Sequence, residues 1–536
     1  MASTTFFSTL LKRALQKTPP PAAASLRSIA TSLFSNPRNS SSSSSSSGPP
    51  TRSFTFSFEP EPEPARYEDL RDRIFWLRKR SATAALERWV GEGRKVSQSV
   101  LRDIAKELVR SQRYKHALEI LTWMESQGNF QITSRDHATR LDLIIKVHGL
   151  SDAEAYFEKL PGSASQKAAS FPLLHSYVKD RDLEKAEALM LRLHNSALAV
   201  DPHLFNEMMK LYMATGQFRK VLDVIRHMKL SNVPLNVLSY NLWMGATAEV
   251  SGVSSVETVH KEMETDKNIE VGWSSYCTLA NIYTKAGLVD KAFGALNVAE
   301  KKISLRKRLA YSFIMTKYAA LQDRDGVLRL WESSKKVPER ITCQNYMSVM
   351  LCLIKIGAIE DAERIFREWE SSCRKYDVRV SNVLLGAYMR NGWMEKAESL
   401  HRHTLERGAI PNYKTWEILM EGWVKKGEMD RAVDAMRRGF SMLEGCIWRP
   451  PSEIVMAIAK HFEDQSSAED MRRYVQVLQN LGLMNLGLYK SFLRTHINAR
   501  RELPDIINMV ESDKIELDEE ARALIQCVFE PQNIDL

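Results

Sequence analysis

Lysine and arginine residues recur along the sequence at intervals of about 35 residues or multiples of it, and we call this series the basic column. A regular series of cations is suited to binding phosphate groups. Lys355, Arg390 and Lys425 are 35 residues apart, and Lys285 lies two such intervals before Lys355. Lysine and arginine form charge-assisted hydrogen bonds with phosphate oxygens. The column therefore predicts contact with a phosphate backbone, and its members are Arg110, Lys146, Lys179, Lys285, Lys355, Arg390 and Lys425.

A purely structural role is the alternative for this column. A cation near the end of a helix complements the helix dipole and contributes about 0.3–1 kcal/mol. Any position close to the helix end would satisfy the dipole, whereas these residues keep the thirteenth position of a repeated unit. The exceptions among the first ten units are Ala214, Glu249 and Ala320. We therefore favour phosphate contact.

A 35-residue period organises the chain around these residues. Gly357, Gly392 and Gly427 follow it, and Gly216 and Gly287 fall on the same grid to within one residue. The fifth residue after each of these glycines is small or β-branched: Ala362, Ala397, Ala432, Val221 and Ala292. A fixed period of this size is typical of a stacked array in which each unit buries its apolar face against its neighbours.

One unit, residues 378–412, predicts a helical hairpin. Val383, Leu384, Ala387 and Tyr388 form one apolar stripe at helical spacing. Gly392 is suited to end this helix, because glycine accepts the left-handed conformation of a C-terminal cap. A second helix is expected to begin near residue 394 and to end before Gly408 and Pro411.

The period predicts an all-α protein, a right-handed α-solenoid of about 11–12 helix–turn–helix repeats. We expect a helical N-terminal cap at residues 67–97, a repeat array at 98–520 that is clearest at 167–447, and a C-terminal tail at 521–536. Clear units begin at Lys167, Pro202, Val237, Trp273, Arg308, Cys343, Val378 and Tyr413, and weaker ones near Gln98, Ser134, Pro450 and Leu486.

The N-terminal segment, residues 1–58, has the composition of an organellar transit peptide. It contains six basic residues and no acid, and apolar residues between Phe6 and Leu15 recur at helical spacing beside Lys12 and Arg13. An uninterrupted serine run at 40–47 cannot bury a core, so we expect disorder there. The segment predicts import into an organelle.

Composition excludes several other classes of protein. The net charge is +9, but outside residues 1–58 it falls to about +3, with 69 basic against 66 acidic residues. The six cysteines form no pair with zinc-finger or disulfide-framework spacing. We therefore expect no metal and no cofactor, and no apolar run is long enough to predict a membrane span.

The repeats resemble those of a known family. Tyr240-Asn241 near the start of one unit, Phe205-Asn206 in another, and Gly408-Ala409-Ile410-Pro411-Asn412 at the end of a third match its consensus. With a register of 35 residues, the chain resembles a plant organellar pentatricopeptide repeat protein of the plain P class. The resemblance covers about residues 98–520.

The resemblance implies that single-stranded RNA is bound with one nucleotide per repeat, recognised by the fifth and the last residue of the unit. Two units match at both positions, and in this family an Asn–Asn pair favours pyrimidines, usually cytosine. These base-recognition pairs are Asn206 with Asn236 and Asn382 with Asn412. Asp201 and Asp377 match only at the last position, and Asn241 only at the fifth.

A helix N-cap is the alternative role for each asparagine. We expect an alanine at Asn412 to leave the melting temperature nearly unchanged, on the ground that the last residue of a unit lies outside the packed helices. Because Asn382 is itself a candidate N-cap, an alanine there is expected to affect stability as well as base preference, so its effect is harder to interpret than that at Asn412.

The resemblance also implies a non-catalytic protein that acts on organellar transcripts, in processing, stability, splicing or translation. The His-x-Glu and Cys-x-x-Cys motifs of a deaminase tail are absent, so we expect no enzyme activity. We expect a monomer in the mitochondrion, with the chloroplast as the alternative, and organellar ribosomal or RNA-processing proteins as further partners. The alternative function is a solenoid that scaffolds proteins, for example on an organellar ribosome.

Residues 1–65 fused to a fluorescent protein should be imported into mitochondria, because their helix is basic and amphipathic. Changing Lys12, Arg13, Lys17 and Arg27 to glutamine should abolish import. Microscopy with a mitochondrial marker measures both. Chloroplast fluorescence would favour the alternative organelle, and cytosolic fluorescence of the unchanged fusion would exclude import.

Overall fold

A computed structural model of the chain describes residues 69–76, 81–195, 201–304, 308–442, 450–501, 509–510, 513 and 515–529. The predicted transit segment, residues 1–58, lies outside these ranges. Within them the chain forms 26 α-helices and no β-strand, which confirms the all-α prediction. The helices belong to two compact units, residues 1–270 and 271–536.

The described part of the first unit consists of two short helices followed by five helical hairpins. The short helices, Leu70–Trp76 and Ala82–Gly91, lie where the sequence predicts the N-terminal cap. The hairpins pair Gln98–Arg110 with Tyr114–Ser126, Ser134–Val147 with Leu150–Glu158, Gly162–Asp180 with Leu183–Asn195, Pro202–Ala214 with Phe218–Leu230, and Val237–Ser251 with Val253–Thr265.

The second unit contains six hairpins and two further helices in its described part. The hairpins pair Trp273–Lys285 with Val289–Lys301, Leu309–Ala320 with Arg324–Lys335, Cys343–Ile356 with Ile359–Ser372, Val378–Arg390 with Met394–Glu406, Tyr413–Lys426 with Met429–Ser441, and Ser452–Asp464 with Ala468–Asn480. The further helices are Leu486–Asn498 and Glu519–Phe529. None of the helices described in either unit is long and apolar enough to cross a membrane.

A residue with positive φ ends the first helix of most hairpins. Gly357 has a φ of 87° and Gly427 a φ of 82°. Glycine enters this region without a steric penalty. The amide of the residue after each glycine then bonds back into the helix, as Glu428 N does to Trp423 O at 2.9 Å. Gln322 adopts the same conformation without glycine, at φ 60°.

The small residues five positions after these glycines lie at the packed centre of each hairpin. Ala292, Ala362, Ala397 and Ala432 have no exposed surface, and neither does Val221. Because a small side chain projects little from its helix, it permits a close approach of the paired helices. This explains why the sequence repeats a small residue at that position.

Three predicted boundaries differ from the structure. The helix predicted from Lys167 begins at Gly162, and the one predicted from Pro450 begins at Ser452. In the second case Pro451 disfavours helical backbone at the residue before it. The helix Glu519–Phe529 occupies much of the predicted tail, 521–536, and packs against Leu486–Asn498 through residues such as Ala521 and Val528.

A Tyr–Glu–Lys clamp joins consecutive hairpins. Glu187, on the second helix of one hairpin, accepts a hydrogen bond from Tyr212 Oη at 2.9 Å and contacts Lys220 Nζ at 2.8 Å, both in the next hairpin. Burial and the neighbouring carboxylate raise the pKa of Tyr212, so its phenol stays a neutral donor. The Lys220 ammonium also lies 5.2 Å from the centre of the tyrosine ring.

The same clamp recurs elsewhere, with its tyrosine and lysine again eight residues apart. It is formed by Tyr177, Glu154 and Lys185 in the first unit, and by Tyr388, Glu363 and Lys396 in the second. In the next repeat tryptophan replaces tyrosine: Arg431 contacts Glu398 at 2.5 Å and stacks over Trp423 at 4.8 Å. At these places the clamp fixes a hairpin against its predecessor.

Glu187→Ala should lower the free energy of unfolding by about 2–3 kcal/mol, since it leaves the buried phenol of Tyr212 and the ammonium of Lys220 without their acceptor. Urea denaturation followed by circular dichroism measures this loss. Asp103→Ala is the matched control, because Asp103 contacts Lys106 in an ion pair whose side chains are 74% and 60% exposed. The control should change stability by less than about 0.5 kcal/mol, and an equal effect of both variants would contradict a structural role for the clamp.

Candidate nucleic-acid interface

Within each unit, one side of the first helices contains the fifth-position residues and the basic-column residues. Positions 2, 5, 9 and 13 of a repeat lie on the same side of its first helix, because residues three or four apart are neighbours on an α-helix. First helices of consecutive repeats pack side by side, as Pro202–Ala214 does with Val237–Ser251. We call the surface made by these four positions the first-helix face.

Asn382 and Asn412 lie together at this face, as the resemblance implies. Asn382 Nδ2 donates to Asn412 Oδ1 at 3.2 Å. Asn412 Oδ1 also accepts from the backbone amide of Thr415 at 3.0 Å. The Thr415 hydroxyl, in turn, donates to Asn382 Oδ1 at 3.0 Å and accepts from the Asn412 backbone amide at 3.2 Å.

Asn206 and Asn236 form the same arrangement in the first unit. Asn206 Nδ2 donates to Asn236 Oδ1 at 3.2 Å, and the hydroxyl of Ser239 donates to Asn206 Oδ1 at 2.8 Å. Ser239 occupies the position of Thr415 and forms the same reciprocal bonds with the backbone and side chain of Asn236. Two distant repeats thus hold their asparagine pairs in one geometry.

These bonds determine which polar atoms of each pair remain available. The oxygen of Asn412 accepts from two N–H groups, which uses both of its lone pairs. Its Nδ2 group, with two N–H donors, takes no part in the network. The last asparagine of each pair therefore offers donors to a ligand, rather than the donor and acceptor that its residue type alone predicts.

The last residue of a repeat is the N-cap of the next first helix. Asn412 and Asn236 cap through a capping box, whereas Asn382 and Asn206 lie inside their helices and are 7% and 1% exposed. The expectation that an alanine at Asn412 spares stability is therefore wrong, because the side chain holds the first turn of the next helix. The N-cap alternative holds for the last residue and fails for the fifth.

Every repeat whose first helix has its cap at this position uses a residue type favoured there. The N-cap residues at the end of a unit are Ser97, Thr133, Asp201, Asn236, Gly272, Thr342, Asp377, Asn412 and Asn485. Serine, threonine, aspartate, asparagine and glycine are the preferred N-caps of proteins. Capping thus accounts for the residue type at each of these positions.

The three partial matches are brought to this face without a complete pair. Asp201 caps its helix by accepting from His203 N at 2.8 Å. Asp377 accepts from Arg379 N at 3.0 Å and forms an ion pair with the Arg379 guanidinium at 2.6 Å. Burial raises the pKa of Asp377, but the bonds from Arg379 outweigh it, so the pKa lies below its usual value. Asn241 Oδ1 is buried without a hydrogen-bond partner among the described residues.

The basic column lies in the last turn of the first helices, and all seven of its side chains belong to exposed residues. Lys146 also contacts Asp142 at 2.7 Å, and its ammonium lies 4.9 Å from the centre of the Tyr114 ring. The position near the helix end fits the dipole explanation, and the exposure fits phosphate contact. The structure therefore gives both predicted roles the geometry they need.

Sequence reasoning missed the hydroxyls that orient the fifth-position amides. Ser239 and Thr415 follow Asn236 and Asn412 by three residues, which is the spacing of a capping box. The same position in an early repeat is Asp136, which contacts the fifth-position Arg102 through bonds of 3.0 and 2.5 Å. The sequence motifs Asn-x-x-Ser and Asn-x-x-Thr could have revealed these hydroxyls.

The chain is similar to proteins of one family. The model of the PPR repeat matches residues 203–233, 274–302 and 380–408. A pentatricopeptide repeat-containing protein of Arabidopsis thaliana is 53% identical over 441 residues, which cover 82% of this chain and 90% of that protein. A mitochondrial pentatricopeptide repeat-containing protein of the same plant is 30% identical over 449 residues, covering 83% and 91%.

A solved structure is also similar. The maize pentatricopeptide repeat protein PPR10 matches 86% of this chain and 71% of its own, with a TM-score of 0.40 and 15% sequence identity.

Asn412→Ala should lower the free energy of unfolding by about 1 kcal/mol, because it removes the acceptor for Thr415 N. Asn412→Asp should stay within about 0.5 kcal/mol of the unchanged chain, since a carboxylate oxygen caps equally well. Urea midpoints measure both, with Ile410→Ala as the control at a neighbouring residue that is 81% exposed. Equal stabilities of the alanine and aspartate variants would contradict the capping role.

Proposed function

The chain belongs to the pentatricopeptide repeat family, and from that premise we propose that it binds single-stranded organellar RNA without catalysing a reaction. The observation that carries the proposal is the repeated asparagine network, in which the side-chain oxygens of Asn236 and Asn412 accept hydrogen bonds while their Nδ2 groups take no part in it. Such donors need an acceptor, and the edge of an unpaired base supplies one.

We propose that these donors bind pyrimidines at two positions of the RNA, as the family resemblance implies. Cytosine carries acceptors at N3 and O2, which can accept from the free Nδ2 of Asn236 or Asn412. This agrees with the preference that an Asn–Asn pair has in the family. Because the fifth-position amide is buried and oriented by a hydroxyl, the pair is rigid before the RNA binds, which lowers the entropic cost of recognition.

The basic column supports the backbone part of the proposal. Its cations recur at the thirteenth position of seven of the first ten repeats, on the same helix side as the fifth-position residues, which suits a strand that carries one phosphate per nucleotide. In this account the column supplies affinity that does not depend on sequence, and the asparagine pairs supply selectivity.

We further propose that the protein acts in the mitochondrion on transcript processing, stability, splicing or translation. The acid-free N-terminal segment supports import, and a relative with 30% identity is a mitochondrial protein. Proteins of the organellar ribosome or of RNA processing are proposed as partners there.

A protein-scaffolding function is the second candidate. It is favoured by the net charge of about +3 outside residues 1–58. It is also favoured by large apolar side chains between hairpins, since Leu230 and Ile410 are each 81% exposed. A scaffold would not require RNA affinity that falls steeply with salt.

Replacing Lys285, Lys355, Arg390 and Lys425 together by glutamine should weaken binding to all single-stranded RNAs. Because each lost phosphate contact removes about 0.7 from the slope of log affinity against log salt, the slope should fall by about 2.8. Fluorescence anisotropy with a random 20-nucleotide RNA pool measures both. The matched control neutralises four exposed arginines of second helices in the same unit, Arg364, Arg367, Arg402 and Arg473.

Three outcomes decide between the candidates. A loss confined to the column variant supports phosphate contact along the first-helix face. Equal losses of RNA affinity in both variants would mean that the column contributes only through the overall charge of the protein. No salt-dependent binding by the unchanged chain would exclude the RNA function, and proteins recovered from mitochondria with the chain would then identify a scaffold.

A further inference from the structure

Three aromatic side chains cluster on the first-helix face of the first unit. Phe171 and His175 lie one turn apart on the helix Gly162–Asp180, with ring centres 6.2 Å apart and planes only 14° from parallel. His203, at the start of the next first helix, meets Phe171 edge-on, with ring centres 6.4 Å apart and an interplanar angle of 81°. Two rings thus lie in nearly parallel planes, with a third ring edge-on beside one of them.

This cluster occupies a recognition position of the repeat array. Phe171 is the fifth residue of its unit, the place that Asn206 and Asn382 take in theirs. A phenyl ring has no hydrogen-bonding atom, so it cannot select a base by its edge. It can offer its face, on which any base stacks.

The exposure of these rings is not explained by packing within the chain. Phe171 is 43% exposed, whereas Phe205, on the neighbouring first helix, is 2% exposed. The His175 side chain is 59% exposed, and His203 is exposed as well. Large apolar surface left in water has not contributed its burial energy to folding and remains available to a ligand.

Charged groups hold the cluster and set its local potential. The buried carboxylate of Glu207, whose side chain is 4% exposed, contacts His175 Nδ1 at 3.0 Å and Lys210 Nζ at 2.6 Å. Lys179, the basic-column residue of this unit, is exposed one turn beyond His175. Lys179 and Lys210 are therefore available in the same region for the phosphates that flank a base on the rings.

We propose that Phe171, His175 and His203 form a stacking site for one nucleobase of the bound strand, with no preference among the four bases. The inference rests on the proposed RNA function and deepens it. This repeat thereby adds affinity for RNA of any sequence, while the repeats with asparagine pairs supply the base preference.

The histidine gives the site a pH dependence that simple packing would lack. The hydrogen bond to Glu207 raises the pKa of His175, and partial burial opposes the shift. Among the charged groups that face it, Glu207 and Asp142 favour protonation, and Lys210 opposes it. Protonation as the pH falls changes the Glu207, His175 and Lys210 group from neutral to a single positive charge, which attracts the RNA backbone.

The test uses the full chain and the random 20-nucleotide RNA pool, with a 4-thiouridine-substituted pool for crosslinking. Phe171→Ala and Phe171→Leu should each weaken binding about tenfold, within the range known for loss of one stacked base. Phe171→Tyr, which keeps an aromatic face, should stay within twofold. Trp393→Ala is the matched control, because Trp393 is 41% exposed but precedes a second helix.

Two further readouts separate stacking from a structural effect. Sequencing of RNA selected by Phe171→Ala should show the same base preferences as the unchanged chain, and the crosslink to the 171–175 segment should be lost. Affinity of the unchanged chain should rise more steeply between pH 7.5 and pH 6 than that of His175→Gln.

The outcomes are distinguishable. If the unchanged chain binds RNA but Phe171→Leu, with normal stability, binds equally well, the stacking site is refuted and the RNA function stands. A changed base preference, or equal pH slopes of the unchanged chain and His175→Gln, would likewise overturn it. If the unchanged chain binds no RNA, the proposed function fails and the stacking site fails with it.

Discussion

Each hairpin of this chain has more apolar surface than its own two helices can cover, and the neighbouring hairpins cover the remainder. Trp369, 2% exposed on a second helix, packs against Tyr376 in the segment that leads to the next repeat, with ring centres 5.0 Å apart. The requirement for a neighbour forces repeats into register. Once they are in register, equivalent residues align in columns, and every proposed contact with RNA depends on that alignment.

The same stacking consumes much of the acidic charge. Glu154, Glu187 and Glu363 each bridge one hairpin to the next through a tyrosine and a lysine. Asp136 likewise pairs with Arg102 of the preceding hairpin, whereas Asp377 pairs with Arg379 two residues along the chain. Because these carboxylates are held in pairs, the near-neutral net charge of the chain beyond its N-terminal segment says little about the local potential at the exposed basic column.

The sequence predicted the parts of the structure that repeat and failed where a residue has two roles. Period, turn glycines and small hairpin residues located most first helices closely, since each signal recurs several times. Asn412 was misjudged because its residue type fits both base recognition and capping, and only the bond to Thr415 N distinguishes a cap from a free side chain. The helix Glu519–Phe529 was not predicted, because the repeat pattern before it is weak.

Capping also limits what the array can recognise. The last residue of a repeat holds the next helix through its side-chain oxygen in most repeats, so folding admits only a handful of residue types there. Within that set, asparagine and aspartate have nearly the same shape and differ in whether the outward atom donates or accepts. Under the proposed base recognition, an exchange of asparagine for aspartate would alter the hydrogen-bonding group presented to a base while keeping the N-cap and its contribution to stability. Helix capping therefore restricts the residue types at the last position of a repeat, and with them the bases that the proposed pairs could distinguish.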